Sequence, residues 1–261
     1  MDNTLSRFLH AYSVETAPAD PAQLRKIAGA FSFLPYENVT KIIKEATSAG
    51  SIQKLREAPE VLDDHLRWRT GGTCFSLSNA LHELLDQSGF PSSIAMADMH
   101  YGRNIHCAVI AQAGNERYLL DPGYLLSEPI LLPDDGCESR VQTAMNIVYL
   151  KSEGGEVFSL YTEEHLQRKW RYRLRATPVS REEFMRHWIH SFSLNSMESL
   201  MLSRLDTRGR IYFRKDRLEV VNLAGREKKL VRLDEMRDLA SVFGVPADLI
   251  LQAHQLLLTR P

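Results

Sequence analysis

The chain reads as an α+β protein: helical spacing fills its first ninety residues, short strands follow, and a smaller mixed scheme closes it. Apolar residues recur three and four apart as far as Gly89, which suits a helix stop. From Pro91 onward they fall in short runs separated by turn residues. The expected parts are a helical bundle over 1–90, a strand-rich unit over 91–179, and a linking helix with a small αβ unit over 180–261.

Each element has its own signal. Residues 20–34 read as a helix capped by Asp20, with Pro21 in its first turn, an apolar face of Leu24, Ile27, Ala28, Phe31 and Leu34, and Pro35 as its stop. A second amphipathic stretch runs from Val39 to Ala46, and Ile52 to Arg67 reads as helix on both sides of Pro59. Cys74 then leads into Leu77, Leu81, Leu84 and Leu85. The spacing predicts strands over 94–97, 105–110, 117–120, 145–151, 157–160 and 170–175, and a loop over 125–136. Ser180-Arg181-Glu182-Glu183 opens a helix as a capping box. Strands over 200–205, 210–214, 217–222 and 228–233 precede helices from Asp234 and Pro246. Arg226 to Lys229 reads as a turn followed by strand entry.

Composition narrows the class. With 261 residues, 44% of them hydrophobic, the chain can bury a sizeable core. Lys+Arg 32 against Asp+Glu 33 leaves a net charge of -1, which argues against a broad nucleic-acid or membrane surface. No apolar run reaches membrane-spanning length, and MDNTLSRFLHAYSVE does not read as a signal peptide. Three cysteines form no disulfide framework, so a reducing cytoplasm is the expected address.

The chemistry concentrates in three segments. Thr70-Gly71-Gly72-Thr73-Cys74 offers a cysteine where a helix starts; Asn104-Ile105-His106 and Leu119-Leu120-Asp121 lie on two strands that read as a hairpin. Cysteine, histidine and aspartate can act as thiolate nucleophile, general base and the group that orients the base. With Ala113 to Glu116 as the turn, facing residues sum to 229 in number, so His106 and Asp121 share a face two positions apart. Taken alone, Gly-Gly-x-Cys fits a structural cysteine after a Gly-rich turn. With His106 and Asp121 in compatible positions, the catalytic reading of Cys74, His106 and Asp121 prevails. Gly72, Thr73, Phe75 and Tyr124, beside them in sequence, are expected in the substrate pocket.

Other residues read more plainly. Cys107 points away from His106 into the core, and Cys137 reads as a free surface thiol. His187 and His190 lack a third ligand, so no metal site is expected. Arg171, Arg173 and Arg175 read as the solvent face of a strand, with a cofactor-phosphate role as the alternative.

These motifs together resemble the arylamine N-acetyltransferase family over nearly the whole chain. Leu34-Pro35-Tyr36-Glu37-Asn38 is similar to its Ile-Pro-Phe-Glu-Asn segment, and Gly71-Gly72-Thr73-Cys74 to its Arg-Gly-Gly-x-Cys core. His106 with the apolar residues after it resembles the family's histidine strand, Asp121-Pro122-Gly123-Tyr124 its Asp-Val-Gly-Phe element, and Leu239 to Leu249 its closing helix. Thr70 and Pro122 depart from the pattern, standing where the family has arginine and valine, and Arg69 comes one residue early. These departures leave open the partner of Glu37 and the shape of the acceptor pocket.

The resemblance implies a helical bundle, a central antiparallel β-barrel and a C-terminal αβ lid around a cysteine-protease/transglutaminase-like core. It implies ping-pong chemistry: acetyl-CoA, as acyl-donor substrate, acylates Cys74, and the acyl group passes to an arylamine, hydrazine or hydroxylamine. No metal is implied. A thiol hydrolase or transglutaminase-like amide enzyme, an amide synthase of natural-product assembly and a non-catalytic interaction module are the competing readings.

Overall fold

A computed structural model describes residues 3–164, 167–194, 197–207 and 209–259. Five helices occupy the first part: α1 (Asn3–Ala11), α2 (Pro21–Phe31), α3 (Val39–Thr47), α4 (Ala58–Trp68) and α5 (Cys74–Gln87). Asp20 caps α2 by accepting the Gln23 amide at 2.8 Å. This helix ends at Phe31, four residues ahead of Pro35. The sequence reading has no counterpart of α1, whose Leu5, Phe8 and Leu9 are buried against α2 and α4 residues such as Leu24, Ile27 and Leu62.

The helix expected across Pro59 is shorter than its periodicity suggests. It begins at Ala58, with Pro59 in its first turn. Proline has no amide hydrogen to donate and its ring crowds the carbonyl four residues back, so it starts a helix and does not sit inside one.

The second part is an eight-stranded antiparallel sheet: β2 (Ser92–Met99), β3 (Gly102–Ala113), β4 (Glu116–Leu120), β5 (Ile130–Leu131), β6 (Glu138–Gln142), β7 (Ile147–Gly154), β8 (Val157–Glu164) and β9 (Gln167–Arg175). Their order is β5-β4-β3-β2-β9-β8-β7-β6, and the end strands β5 and β6 approach each other, so the sheet curls into a nearly closed barrel. Ala95, Ala97, Ala108, Leu119, Leu160 and Leu174 help to fill its interior. Strand β6 had no clear signal because its residues are largely polar, and it is held by its register with β7.

Two details of this sheet position the site. In the β3–β4 hairpin Val109 faces Leu120 and Ala113 faces Glu116, the register counted from the turn. Between β8 and β9, Tyr161 pairs with Trp170 while Leu160 pairs with Tyr172, so Arg171 is the extra residue of a β-bulge.

The last part contains α6 (Arg181–His190), whose Ser180 cap accepts the Glu183 amide at 3.1 Å, and a meander of β10 (Met201–Asp206), β11 (Gly209–Arg214), β12 (Arg217–Asn222) and β13 (Gly225–Leu230). Arg226 to Lys229 lie inside β13 and not in a turn, and the strand expected to reach residue 233 stops at Leu230. Their charges suit an exposed edge strand. A 3-10 segment (Leu233–Asp238) replaces the start of the helix expected at Asp234, followed by α7 (Leu239–Phe243) and α8 (Ala247–Leu258).

A short strand from the first part, β1 (Tyr36–Glu37), joins this second sheet by pairing with β10. Residues expected in separate parts, at 36–37 and 201–206, therefore share one sheet. A common core joins Val39, Phe75, Trp188, Leu202, Phe213 and Phe243. Among the described residues no helix is long and apolar enough to cross a membrane.

Candidate active site

Cys74 is the first residue of α5, after an extended Thr73 (φ -90, ψ 173) that makes no side-chain cap bond. The first-turn amides of a helix lack intrahelical partners, so they face the sulfur region as donors. The approach to Cys74 is tightly held. A Cβ on Gly71 would lie 1.9 Å from the Pro35 carbonyl oxygen, so only glycine fits there. Gly72 bridges to Tyr36, and the Glu37 amide donates to the Gly72 carbonyl at 2.9 Å.

His106 comes from β3, and Asp121 follows the end of β4 as the cap of a 3-10 turn, Pro122–Tyr124. His106 Nε2 and Asp121 Oδ2 are 2.8 Å apart. The same carboxylate accepts Tyr172 OH at 2.7 Å on Oδ2 and the Tyr124 amide at 3.0 Å on Oδ1. It is fully buried and held from three sides, which fixes the imidazole plane. Tyr124 and Tyr172 pack on the imidazole with ring centroids 5.4 Å and 4.8 Å away.

With Nε2 on Asp121, Nδ1 is the nitrogen available to the sulfur. The Cys74 thiol and the imidazole are hydrogen-bonded. Gly123 marks where the three side chains meet. A Cβ there would lie 2.8 Å from His106 Cε1, 2.9 Å from Cys74 Cβ and 3.2 Å from Asp121 Oδ1.

The electrostatics favour a thiolate–imidazolium pair. A hydrogen bond from Cys107 is the largest influence on Cys74; burial opposes it, and the hydrogen bond and charge of His106 and the charge of Lys41 join it. Together they hold the Cys74 thiol well below the usual range. Burial alone would lower the pKa of His106, but the charge and hydrogen bond of Asp121, with Cys74, push it up to about 10. Burial pushes the Cys107 thiol well up, so it stays protonated and can donate.

A cavity of about 770 Å³ opens over the sulfur. Thr73, Phe75 and Tyr124 line it as the sequence suggests; Gly72 does not, because it lies beneath Ser76 and supports the loop from behind. Cys107 is core, yet it touches Cys74, a contact that strand alternation alone does not reveal because Cys74 lies on a helix over the strand. The sequence reading has no role for Tyr172, whose bond to Asp121 spans 51 residues; its only local signal is a tyrosine alternating with arginines along a strand, with a hydroxyl that needs a partner once buried. Arg171 lines the cavity and is not on the solvent face, because the bulge turns it inward; Arg173 and Arg175 pair with Glu153 and Asp98 at 2.7 Å each. His187 Nε2 lies 3.8 Å from Glu183, and His190 meets Ser193. Cys137 is exposed.

A family model for N-acetyltransferases matches residues 22–250. No curated protein sequence matches the chain. Among solved structures, the arylamine N-acetyltransferase from Mycobacterium abscessus has a TM-score of 0.82 at 15% identity, covering 98% of this chain and 95% of its own. The M. smegmatis arylamine N-acetyl transferase has a TM-score of 0.81 at 17% identity, covering 98% and 99%. The Bacillus cereus NAT3 arylamine N-acetyltransferase, described as having a unique Cys-His-Glu catalytic triad, has a TM-score of 0.72 at 18% identity, covering 94% and 100%. At such identities the structures speak for the fold, and the family match spans most of the chain. This chain belongs to the arylamine N-acetyltransferase family and is an acyltransferase.

Proposed function

We propose that Cys74 carries an acyl group from an acyl-CoA, acetyl-CoA in the simplest case, to the nitrogen of an arylamine, hydrazine or hydroxylamine. The observation that carries this reading is the 2.8 Å bond between His106 Nε2 and Asp121 Oδ2, which leaves Nδ1 to the Cys74 sulfur. The thiolate attacks the thioester carbon, and the resulting oxyanion faces the first-turn amides of α5. As the carbon–sulfur bond to coenzyme A breaks, His106 gives its proton to the departing thiolate. An amine then attacks the acyl-Cys74 carbon, His106 takes its proton, and the Cys74 thiolate leaves.

The exposed Arg214, Lys215 and Arg217, on the β11–β12 turn at the rim of the cavity, suit the donor's phosphates. Three free cysteines, two of them in contact, fit a reducing compartment such as the cytoplasm.

Incubation with acetyl-CoA followed by intact-mass analysis tests the first half-reaction. One acetyl on Cys74, absent in Cys74→Ala and almost absent in Cys74→Ser, is expected. Transfer to a panel of arylamines and hydrazines tests the second. An acetyl-Cys74 that decays to water at one rate with or without amine would instead make the protein a hydrolase.

A further inference from the structure

Thioester transfer through Cys74, His106 and Asp121 makes no use of a buried cation on the same cavity wall. Lys41 of α3 is 7% exposed and lines the cavity together with Cys74. Its Nζ donates to the carbonyl oxygen of Ser191 at 2.9 Å and to Ser191 Oγ at 2.7 Å, and lies 4.4 Å from the centre of the Phe192 ring. An ammonium has three N–H donors, and Ser191 takes two. Among the described residues no carboxylate forms an ion pair with it, and Glu45 of the same helix acts only at longer range.

A buried cation is costly without an opposing charge. Burial lowers the Lys41 pKa to about 8, against the raising effect of Cys74, so the group stays largely protonated at neutral pH. The Cys74 thiolate is thus its main counter-charge in the resting protein. Acylation removes that charge, because a thioester is neutral. Lys41 then faces the cavity with a spare donor and no anion, at the stage when the acyl-enzyme waits for its acceptor.

A second cation is delivered to the same cavity by a separate device. The β8–β9 bulge turns Arg171 inward, where its Nε donates to Thr162 Oγ1 at 2.7 Å and its charge reaches Tyr124, the ring packed edge-on to His106. The donor's phosphates cannot be the anion that Lys41 meets, because the pantetheine arm separates them from the thioester carbon. We propose that the end of the cavity beside Cys74 is a carboxylate subsite built on Lys41, with Arg171 as its second cation. The substrate group present at the acyl-enzyme stage is therefore anionic: an aminobenzoate-type acceptor, or an acyl chain ending in a carboxylate. This rests on the thioester-transfer reading of Cys74.

The first test needs no acyl donor. Iodoacetate and iodoacetamide are similar in size and differ in charge, and exposed Cys137 serves as an internal reference. The iodoacetate-to-iodoacetamide rate ratio at Cys74 is expected to exceed that at Cys137 by about tenfold, to collapse in Lys41→Met and to survive in Lys41→Arg. Equal ratios at the two cysteines, or an unchanged ratio in folded Lys41→Met, overturn the proposal. If Lys41→Met does not fold, the wild type decides: benzoate should protect Cys74 from iodoacetamide and benzamide should not, and equal protection overturns it.

Two further arms identify the source of the carboxylate. Faster acylation of Cys74 by succinyl-CoA than by butyryl-CoA assigns it to the acyl group. Faster acetyl transfer to 4-aminobenzoate than to its methyl ester assigns it to the acceptor. Preference in neither arm overturns the subsite, whereas failure of every acyl-CoA to label Cys74 removes the transfer reading and leaves the alkylation result to be judged alone.

Discussion

Arg56 Nη1 donates to the carbonyl oxygen of Gly71 at 2.6 Å, three residues before Cys74. The same nitrogen donates to Thr40 Oγ1 at 2.8 Å and lies 3.9 Å from Glu37 Oε1, while Nη2 meets Asp64 at 2.8 Å. Glu37 in turn accepts the Thr40 amide at 2.9 Å and the Gly71 amide at 3.3 Å. The chain has Thr70, not arginine, before its paired glycines, and the guanidinium that meets this backbone comes from Arg56 ahead of α4.

Arg56→Met should therefore act twice. It strands the fully buried Glu37 carboxylate, which costs on the order of 3 kcal/mol or more. It also frees the Gly71 carbonyl, so iodoacetamide labelling of Cys74 slows under conditions where the variant is still folded. Arg56→Lys keeps the charge without the fork and should recover stability better than reactivity. Urea melts beside labelling rates check both, and a variant as stable and as reactive as wild type would remove the role.

The contact between Cys107 and Cys74 predicts a pH profile. Alkylation of Cys74 follows its thiolate, so the rate should stay level through neutral pH and fall only well below the ordinary thiol midpoint near 8.5, as the sulfur gains a proton. Cys107→Ala removes the donated hydrogen bond and should move that lower limb to higher pH. On the alkaline side the imidazolium persists to about 10, and above it the thiolate loses its counter-charge. Asp121→Asn should pull this upper limit down. A rate profile that is the same in all three proteins would show that neither partner tunes the sulfur.

Gly123 offers a test by a single methyl. Its φ is not in the left-handed region, so alanine meets no backbone penalty, only the three side chains around its new Cβ. Gly123→Ala should leave the melting temperature within a few degrees while lowering Cys74 acylation by about a hundredfold, the scale of an ångström of misplacement between reacting groups. Full activity in the alanine variant would mean that the three groups can separate freely.

Acid stability should report on His65. Its Nδ1 donates to the Thr70 carbonyl at 2.9 Å and its Nε2 accepts Tyr12 OH at 2.5 Å, so it is buried as the neutral ring. Burial lowers its pKa to about 4; the Thr70 carbonyl opposes this and the Arg69 charge adds to it. Between about 6.5 and 4 the unfolded chain binds a proton that the folded chain refuses, so stability is lost as the pH drops through that window, by roughly 3 kcal/mol. His65→Gln should be less stable at neutral pH and lose less on acidification. Equal losses in denaturant titrations at about pH 7 and pH 4.5 would place the acid sensitivity elsewhere.

Residues whose partners lie nearby in sequence were the legible ones. The turn at Gly114-Asn115 sets the register of β3 and β4, which brings His106 to Asp121, and α5 carries its apolar repeat from Cys74 onward. Contacts made by distant segments left no local pattern. Tyr36 and Glu37 are too few to read as a strand, and nothing near them points to Leu202 and Ser203. Arg56 reads as an ordinary arginine of the helix expected over 52–67 until Gly71 and Glu37 fold onto it. Arg171 misled because strict alternation in β9 puts it outside, and a bulge is one residue that a period of two cannot show.

The placement of β1 between Gly72 and β10 has a consequence for biosynthesis. A ribosome delivers Cys74, His106 and Asp121 well before Met201–Asp206. Until that later strand emerges, Tyr36–Glu37 has one sheet edge unpaired, and the backbone leading to Cys74 is clamped from one side only. Long-range strand pairing is also slow to form. The backbone approach to Cys74 therefore gains its second clamp only after Met201–Asp206 has been made, although the residues that act on the sulfur, Lys41, His106 and Cys107, are made earlier.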